Sequence, residues 1–322
     1  MKILWIMVPM ALALTACGDD PVEPTNGGHA NNQNDNATLV EAGSIKYASE
    51  RSIDLTAIAS RMEMPRLKGG SENLFVVHTT SDFGVNYAME YALTKKASRW
   101  TAYRWDKDFN SKGSDWNRYN WRNGVYWNGT TWNSDPFQPD PLIPTAYQTT
   151  NTDHSSNGHD RGHMLGSADR LNSMETNGQT FYLSNMHPQL NSFNAQGIWY
   201  TLEDRLRKQY DTDTFRDTLY VVKGGTIDSN YTMVSGRGNA LVRPGYFFMA
   251  LLCKNSQSSQ GGYKAIAFWM EHKANTDTNV AAYAISIDEL EEKTGIDFFC
   301  NLPDDIETQV ERNLVPTAWG LK

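Results

Sequence analysis

The sequence predicts an α+β fold, a mainly antiparallel β-sheet core flanked by helices. Runs dense in β-branched and aromatic residues predict the sheet; they fall at residues 73–78, 86–91 and 99–104, and again at 218–222, 246–253 and 265–270. Strands and helices mix without a βαβ rhythm, which points to a mainly antiparallel sheet. No internal repeat is present. At 322 residues and 39% hydrophobic content, the chain can bury one large core more readily than several.

The N-terminus reads as an export signal. Lys2 precedes an apolar run over residues 3–14, which ends in Leu14-Thr15-Ala16-Cys17. An apolar stretch this short, followed by small residues, is a cleavable signal and not a membrane span. Leu-Thr-Ala-Cys resembles a bacterial lipobox, in which the cysteine becomes the lipidated first residue of the mature chain. An ordinary cleaved signal with an incidental cysteine is the alternative. An acylated Cys17 would anchor the protein to a bacterial membrane, facing periplasm or exterior. Residues 1–17 are therefore expected to be signal peptide. Residues 18–43, rich in Asn, Gly, Asp and Pro, are expected to be a flexible tether. Residues 44–322 form the globular domain, and no stretch after residue 17 is long and apolar enough to cross a bilayer.

Within the domain, the first three strand runs are expected to pair. Six of the ten tryptophans follow closely: Trp100, Trp105, Trp116, Trp121, Trp127 and Trp132. Such a belt could stack bases or sugars. The competing reading is that the rings pin long loops over the sheet. Residues 136–144 are proline-rich and must be extended or irregular. Residues 149–158 are polar and lead into the stretch that carries the chemistry. Residues 194–209 are expected to be helical, and residues 287–295 are expected to form a short helix, with Asp288 as its cap and Gly295 as its exit.

The formal net charge of −8 argues against a tight, non-catalytic nucleic-acid binder, which normally presents a broad basic face. It leaves room for an enzyme, which needs only a local cationic cradle. Cys253 and Cys300 lie in apolar runs and are expected to be small core residues, one disulfide being the alternative. Two thiols alone build no structural zinc site.

The informative stretch runs from Asp160-Arg161-Gly162-His163 through Ser184-Asn185-Met186-His187-Pro188-Gln189 to Asn194 and Glu203-Asp204. Cutting a phosphodiester requires an activated water, neutralised phosphoryl oxygens and help for the leaving alkoxide. Histidine suits the first task, and a divalent ion suits the other two. Magnesium keeps several waters, so one amide or carboxylate oxygen can hold it, and Asn194 offers such an oxygen. Glu203 and Arg207 are neighbours on one helix face, suited to metal-bound water and phosphate, or merely to an ion pair. His154, His159 and His163 raise zinc as a rival. Gly158 and Gly162 break any continuous helix there, and no H-E-x-x-H pattern is present. His159 is expected to be a surface or supporting residue and His187 a packing residue.

These residues resemble the DNA/RNA non-specific endonucleases, a family of ββα-metal (His-Me finger) nucleases. Asp160-Arg161-Gly162-His163 matches the family signature. Tyr182 to Met186, Pro188-Gln189, Asn194, Gly197, Trp199 and Leu202-Glu203-Asp204 follow in the family's order, and residues 287–291, 294–295 and 302–305 match further on. The resemblance covers residues 73–307. It implies that His163 is the general base, that Asn194 is the protein ligand of one Mg²⁺ (with Mn²⁺ able to substitute), and that Glu203 positions metal-bound water. It implies phosphate contacts from Arg161 and Arg207, support from Asn185 and Gln189, and an orienting role for Asp160. It also implies DNA and RNA substrates and 5′-phosphate products. The sequence itself gives no sign of an obligate protein partner.

Two departures stand out. Asn194-Ala195-Gln196-Gly197-Ile198-Trp199 is one residue longer than the family pattern. One inserted residue turns a helix by about 100°. The extra length must be absorbed before the helix or as a bulge, or else Asn191 or Gln196 takes over as ligand. A phosphate-binding arginine that some relatives carry just before the position of Trp132 is replaced by Gly129-Thr130-Thr131, with Arg122 the candidate substitute. The rival function is a surface glycan-binding lipoprotein that uses the tryptophans around an inactive nuclease-like core.

Overall fold

The computed structural model describes residues 32, 35–113, 116–117, 135–256, 262–275 and 279–322. Cys17, Arg122, Trp121, Trp127 and Trp132 lie outside the described residues, as do the signal peptide and most of the expected tether.

An eight-stranded sheet organises the chain, in the order β1-β2-β3-β4-β7-β10-β11-β12. Its strands are β1 (Tyr47–Ser49), β2 (Asn73–Thr80), β3 (Gly84–Ala92), β4 (Ala97–Trp105), β7 (Thr218–Gly225), β10 (Tyr246–Lys254), β11 (Tyr263–Glu271) and β12 (Ala284–Ile285). Only the β1–β2 pairing is parallel. Each of the six strand runs expected from sequence is here, extended by one to three residues at its ends. Two short hairpins stand apart: β5 (Asp160–His163) with β6 (Met186–Gln189), and β8 (Tyr231–Val234) with β9 (Leu241–Pro244).

Both faces of the sheet are covered, which is why its strands read as continuous apolar runs and not as alternating ones. One face packs Val76, Met89, Tyr103, Val221 and Leu251 against Trp199, Leu202 and Leu206 of α4 (Ile198–Arg205) and its π-helical continuation, Leu206–Tyr210. On the opposite face Phe75, Trp100, Val222 and Leu252 meet Ile287 and Leu290 of α5 (Ile287–Thr294) and Ile306 and Val310 of α6 (Asp304–Arg312). The short α1 (Ala37–Glu41) and α2 (Leu55–Ala59) join this second layer, and α3 (Met174–Gln179) lies between β5 and β6 in the chain. Among the described residues, no helix is long and apolar enough to cross a membrane.

Three expectations shift. The ordered chain starts before residue 44, because Asn36 is fully buried. Its amide donates to the carbonyls of Ala59 and Pro65 and accepts from the Leu67 N–H. Helix α4 begins at Ile198 with Gly197 as its cap, not at Asn194. The cap of α5 is Ser286, whose hydroxyl accepts from the Glu289 N–H, not Asp288. Gly295 does end α5, at φ +67°, a left-handed conformation that side chains resist. Cys253 and Cys300 are both free and buried, as expected. Cys253 packs in the α4-side core, and the Cys300 thiol faces the Met64 carbonyl in the other layer.

Trp100 and Trp105 are fully buried, so neither can stack a ligand. The Trp105 indole donates to the Asp169 carbonyl. Trp116 is 40% exposed.

Candidate active site

β5, β6 and α4 form a ββα unit, with α3 inserted between the two strands. The hairpin pairs Asp160 with Gln189, Arg161 with Pro188, Gly162 with His187 and His163 with Met186. Alternation along β5 puts Arg161 and His163 on one side. Both rest on Phe137: the Arg161 guanidinium lies 3.7 Å from that ring's centroid and the His163 ring 5.5 Å. Phe181 meets His163 edge-on at 5.3 Å. Gly162 faces the other way, and any Cβ there would fall 2.1 Å from Gln189 Oε1. Glycine at the third position of the signature is thus required by the buried Gln189 side chain lying against β5.

The backbone just past His163 is clamped by Asn185. Its side-chain oxygen accepts from the Leu165 N–H at 2.9 Å, its NH₂ donates to the Leu165 and Thr180 carbonyls, and its own carbonyl accepts from the Met164 N–H. Asn185 therefore holds the histidine's strand and does not reach toward a ligand. His187 is likewise structural: fully buried, with Nε2 3.0 Å from the Ser98 carbonyl.

A polar cleft of about 800 Å³ opens over β5, lined by Asp160, Arg161, His163 and Asn194 together with Asp135, Phe137, Asn151, His154, His159 and Arg237. Four of the residues singled out from sequence thus meet on one surface. Asp160 acts as an anchor, its Oδ2 accepting from the NH₂ groups of Asn191 (2.9 Å) and Asn194 (3.1 Å). With its NH₂ so engaged, Asn194 keeps its carbonyl oxygen for another partner. The extra residue before α4 is absorbed upstream of the helix: the Trp199 N–H reaches the Phe193 carbonyl and the Tyr200 N–H the Asn194 carbonyl, each spanning six residues. Asn194 thereby stays tied to the helix start, while Asn191 is committed to Asp160.

An oxygen-only donor set of one oriented amide and a neighbouring carboxylate suits a hard divalent ion that keeps waters. It suits zinc poorly. His159 has both ring nitrogens engaged, Nδ1 with the Asn157 carbonyl at 2.8 Å and Nε2 accepting from Arg243 at 3.0 Å. His154 is buried, and burial followed by the nearby Arg161 charge pushes its pKa down to about 4.

Arg161 donates to Asp135 at 3.0 Å and to Asn151 at 3.1 Å. Glu203 and Arg207 do not line the cleft wall. They belong to a buried network behind Gly166, three residues beyond His163. Lys223 donates to Glu203 at 3.0 Å and lies 3.4 Å from Asp169; Arg207 and Tyr103 donate to Asp169 at 2.8 and 3.0 Å. Burial pushes the Glu203 carboxyl up, with Lys223 opposing. Burial also acts to raise Asp169, but Lys223 and Arg207 outweigh it and hold Asp169 ionised. Sequence reasoning missed Asp169 and Lys223. Asp169 follows Gly166 at a cap-like spacing, a weak signal; Lys223 sits mid-strand in β7 with no signal at all. It also missed Arg237, placed in the cleft by the loop between β8 and β9.

An imidazole, a guanidinium and an oriented amide oxygen on one polar cleft are the parts of a phosphodiester-cutting hydrolase. Comparison with known proteins reaches the same class. The family model described as DNA/RNA non-specific endonuclease matches residues 72–305, and the chain belongs to that family. It is 31% identical over 230 residues to a nuclease of Nostoc sp., covering 70% of this chain and 75% of that protein. It is 25% identical over 293 residues to the nuclease of Serratia marcescens, covering 89% and 98%. The mouse protein named Nuclease EXOG, mitochondrial, is 28% identical over 67% of this chain, which spans 56% of that relative. The fold also resembles a chain of the solved EndoG/EndoGI inhibition complex, with a TM-score of 0.56 and 22% identity, over 72% of this chain and 89% of that one.

Proposed function

We propose that this nucleic-acid hydrolase is a Mg²⁺-dependent, sugar-non-specific endonuclease that acts outside the cytoplasm, anchored to a bacterial membrane through a lipidated Cys17. The observation that carries the reading is the shared cleft of His163 and Asn194, with the Asn194 amide turned by Asp160.

Bound magnesium supplies neutralisation for the phosphoryl oxygens and the leaving alkoxide. Asn194, aligned by Asp160, holds it. His163 takes the proton from the attacking water. Arg161 exchanges its exposed Asp135 partner for a substrate phosphate, which it can grip with two parallel N–H donors. Glu203 and Arg207 act from behind: through Asp169 and Lys223 they hold the backbone at Gly166 and so the end of β5. Cleavage leaves 5′-phosphates on DNA and RNA alike, with Mn²⁺ able to substitute.

The test is degradation of plasmid DNA and of RNA in Mg²⁺ and in EDTA, with product ends labelled by polynucleotide kinase before and after phosphatase. Both polymers should be cut only with metal, and ends should accept label only after phosphatase. Cutting in EDTA, or ends labelled without phosphatase, contradicts the proposal. Export is tested separately: Cys17→Ser should lose incorporation of labelled fatty acid.

A further inference from the structure

The layer formed by α5 and α6 holds carboxylates that the cleft does not use. Asp288 and Glu291 are three residues apart on α5, hence on one face. Glu311, in the last turn of α6, converges on them, so that one carboxylate oxygen from each residue lies within 4.8 Å of the others. The only basic residue in the last turn of α5, Lys293, is committed to Glu289 at 3.3 Å.

Glu311 is 92% buried (8% exposed), and its Oε1 is buried with no hydrogen-bond partner. A bare buried carboxylate is costly unless it is paired, protonated or bound to a cation. Glu291 already spends Oε1 on the Phe298 N–H at 2.7 Å. The charges acting most strongly on Glu311 are all carboxylates, in the order Glu291, Glu307, Asp297 and Asp288. A cation shared by the three carboxylates would satisfy that buried oxygen of Glu311. One shared proton joins two oxygens, whereas here three converge.

We propose that Asp288, Glu291 and Glu311 form a second divalent-cation site that staples α5 to α6. Ile287, Leu290, Ile306 and Val310 of these helices pack on the sheet face opposite the cleft, so the ion locks that layer and takes no part in catalysis.

The experiment compares the full chain carrying Asn194→Ala, which lacks the amide assigned to the cleft ion, with Asn194→Ala/Glu311→Gln. Calcium is titrated by calorimetry and melting is followed with and without it. The double variant should bind one ion fewer per chain and lose the calcium-dependent rise in Tm. Glutamine keeps the size of the side chain and removes the charge that would hold the ion. Equal calcium binding by the two chains overturns the proposal, as does a rise in Tm that survives Glu311→Gln. Two ions in the single variant and one in the double would uphold this site while refuting the assignment of Asn194, so the two readings fail separately.

Discussion

Replacing Gly162 by alanine puts a methyl group between Arg161 and His163, against Gln189. The new Cβ would lie 2.1 Å from Gln189 Oε1 and 2.3 Å from its Cδ, whereas ordinary contact begins at 3.4 Å, so the pair must separate by about 1.3 Å. Gln189 is fully buried and cannot swing into solvent. The strain falls on β5, whose pairing with β6 sets the position of His163. Overpacking of this kind costs about 1–3 kcal/mol of stability, and a misplacement of about 1 Å at a reacting group costs on the order of 100-fold in rate. Urea unfolding and plasmid nicking by purified Gly162→Ala measure both. A second variant, Gly162→Ala/Gln189→Ala, opens the space and should regain stability relative to Gly162→Ala, with a coupling of about 1–3 kcal/mol. Wild-type stability and wild-type nicking in Gly162→Ala would refute the claim that this contact places the histidine.

Three further outcomes follow from the same geometry. Asp169→Asn strips the charge that Arg207 and Lys223 share in a buried setting, and it should cost about 3–5 kcal/mol in a denaturant titration; a loss below about 1 kcal/mol would contradict the network. Asp160→Ala removes the oxygen that accepts from Asn191 and Asn194, freeing the Asn194 amide to turn. The concentration of Mg²⁺ needed for half-maximal nicking should rise at least several-fold, and an unchanged requirement would count against the anchor. Burial pushes His187 down to about 4, so the unfolded chain takes up a proton first as pH falls. The stability from burying His187 neutral is present above about pH 6.5 and is lost toward pH 4, on the order of 3 kcal/mol. His78 does the reverse: burial opposes its charge, but Asp140 and Glu50 raise it to about 10, so its contribution holds below about pH 6.5 and is lost as pH rises through 10. Urea midpoints measured from pH 4.5 to 10 should peak near neutrality, and a midpoint flat from pH 7 to 5 would contradict the account.

The sheet was legible because its six long strands are buried on both faces and need continuous β-branched and aromatic runs. β5 and β6 were not legible as strands. Asp160-Arg161-Gly162-His163 and Met186-His187-Pro188-Gln189 carry no apolar pattern, since their side chains serve a cleft and a tight packing contact. The signature pointed to His163 and Arg161 because their chemistry is local. Glu203 and Arg207 were correctly seen as helix neighbours, yet their partners, Lys223 and Asp169, come from a distant strand and a turn, and no periodicity links them. The start of α4 was misread because residues 194–197 look helical in content, while wide turns there take up the extra residue. Asn36 shows the complementary failure: a low-complexity segment hid one amide with three backbone partners in the core.

The most direct measurement is the rate of plasmid nicking by His163→Ala in Mg²⁺, on protein whose unfolding midpoint shows it folded. If His163 is the base that activates water, nicking falls by about 10²- to 10⁴-fold while the fold persists. A folded His163→Ala chain that nicks DNA at the wild-type rate would contradict the account.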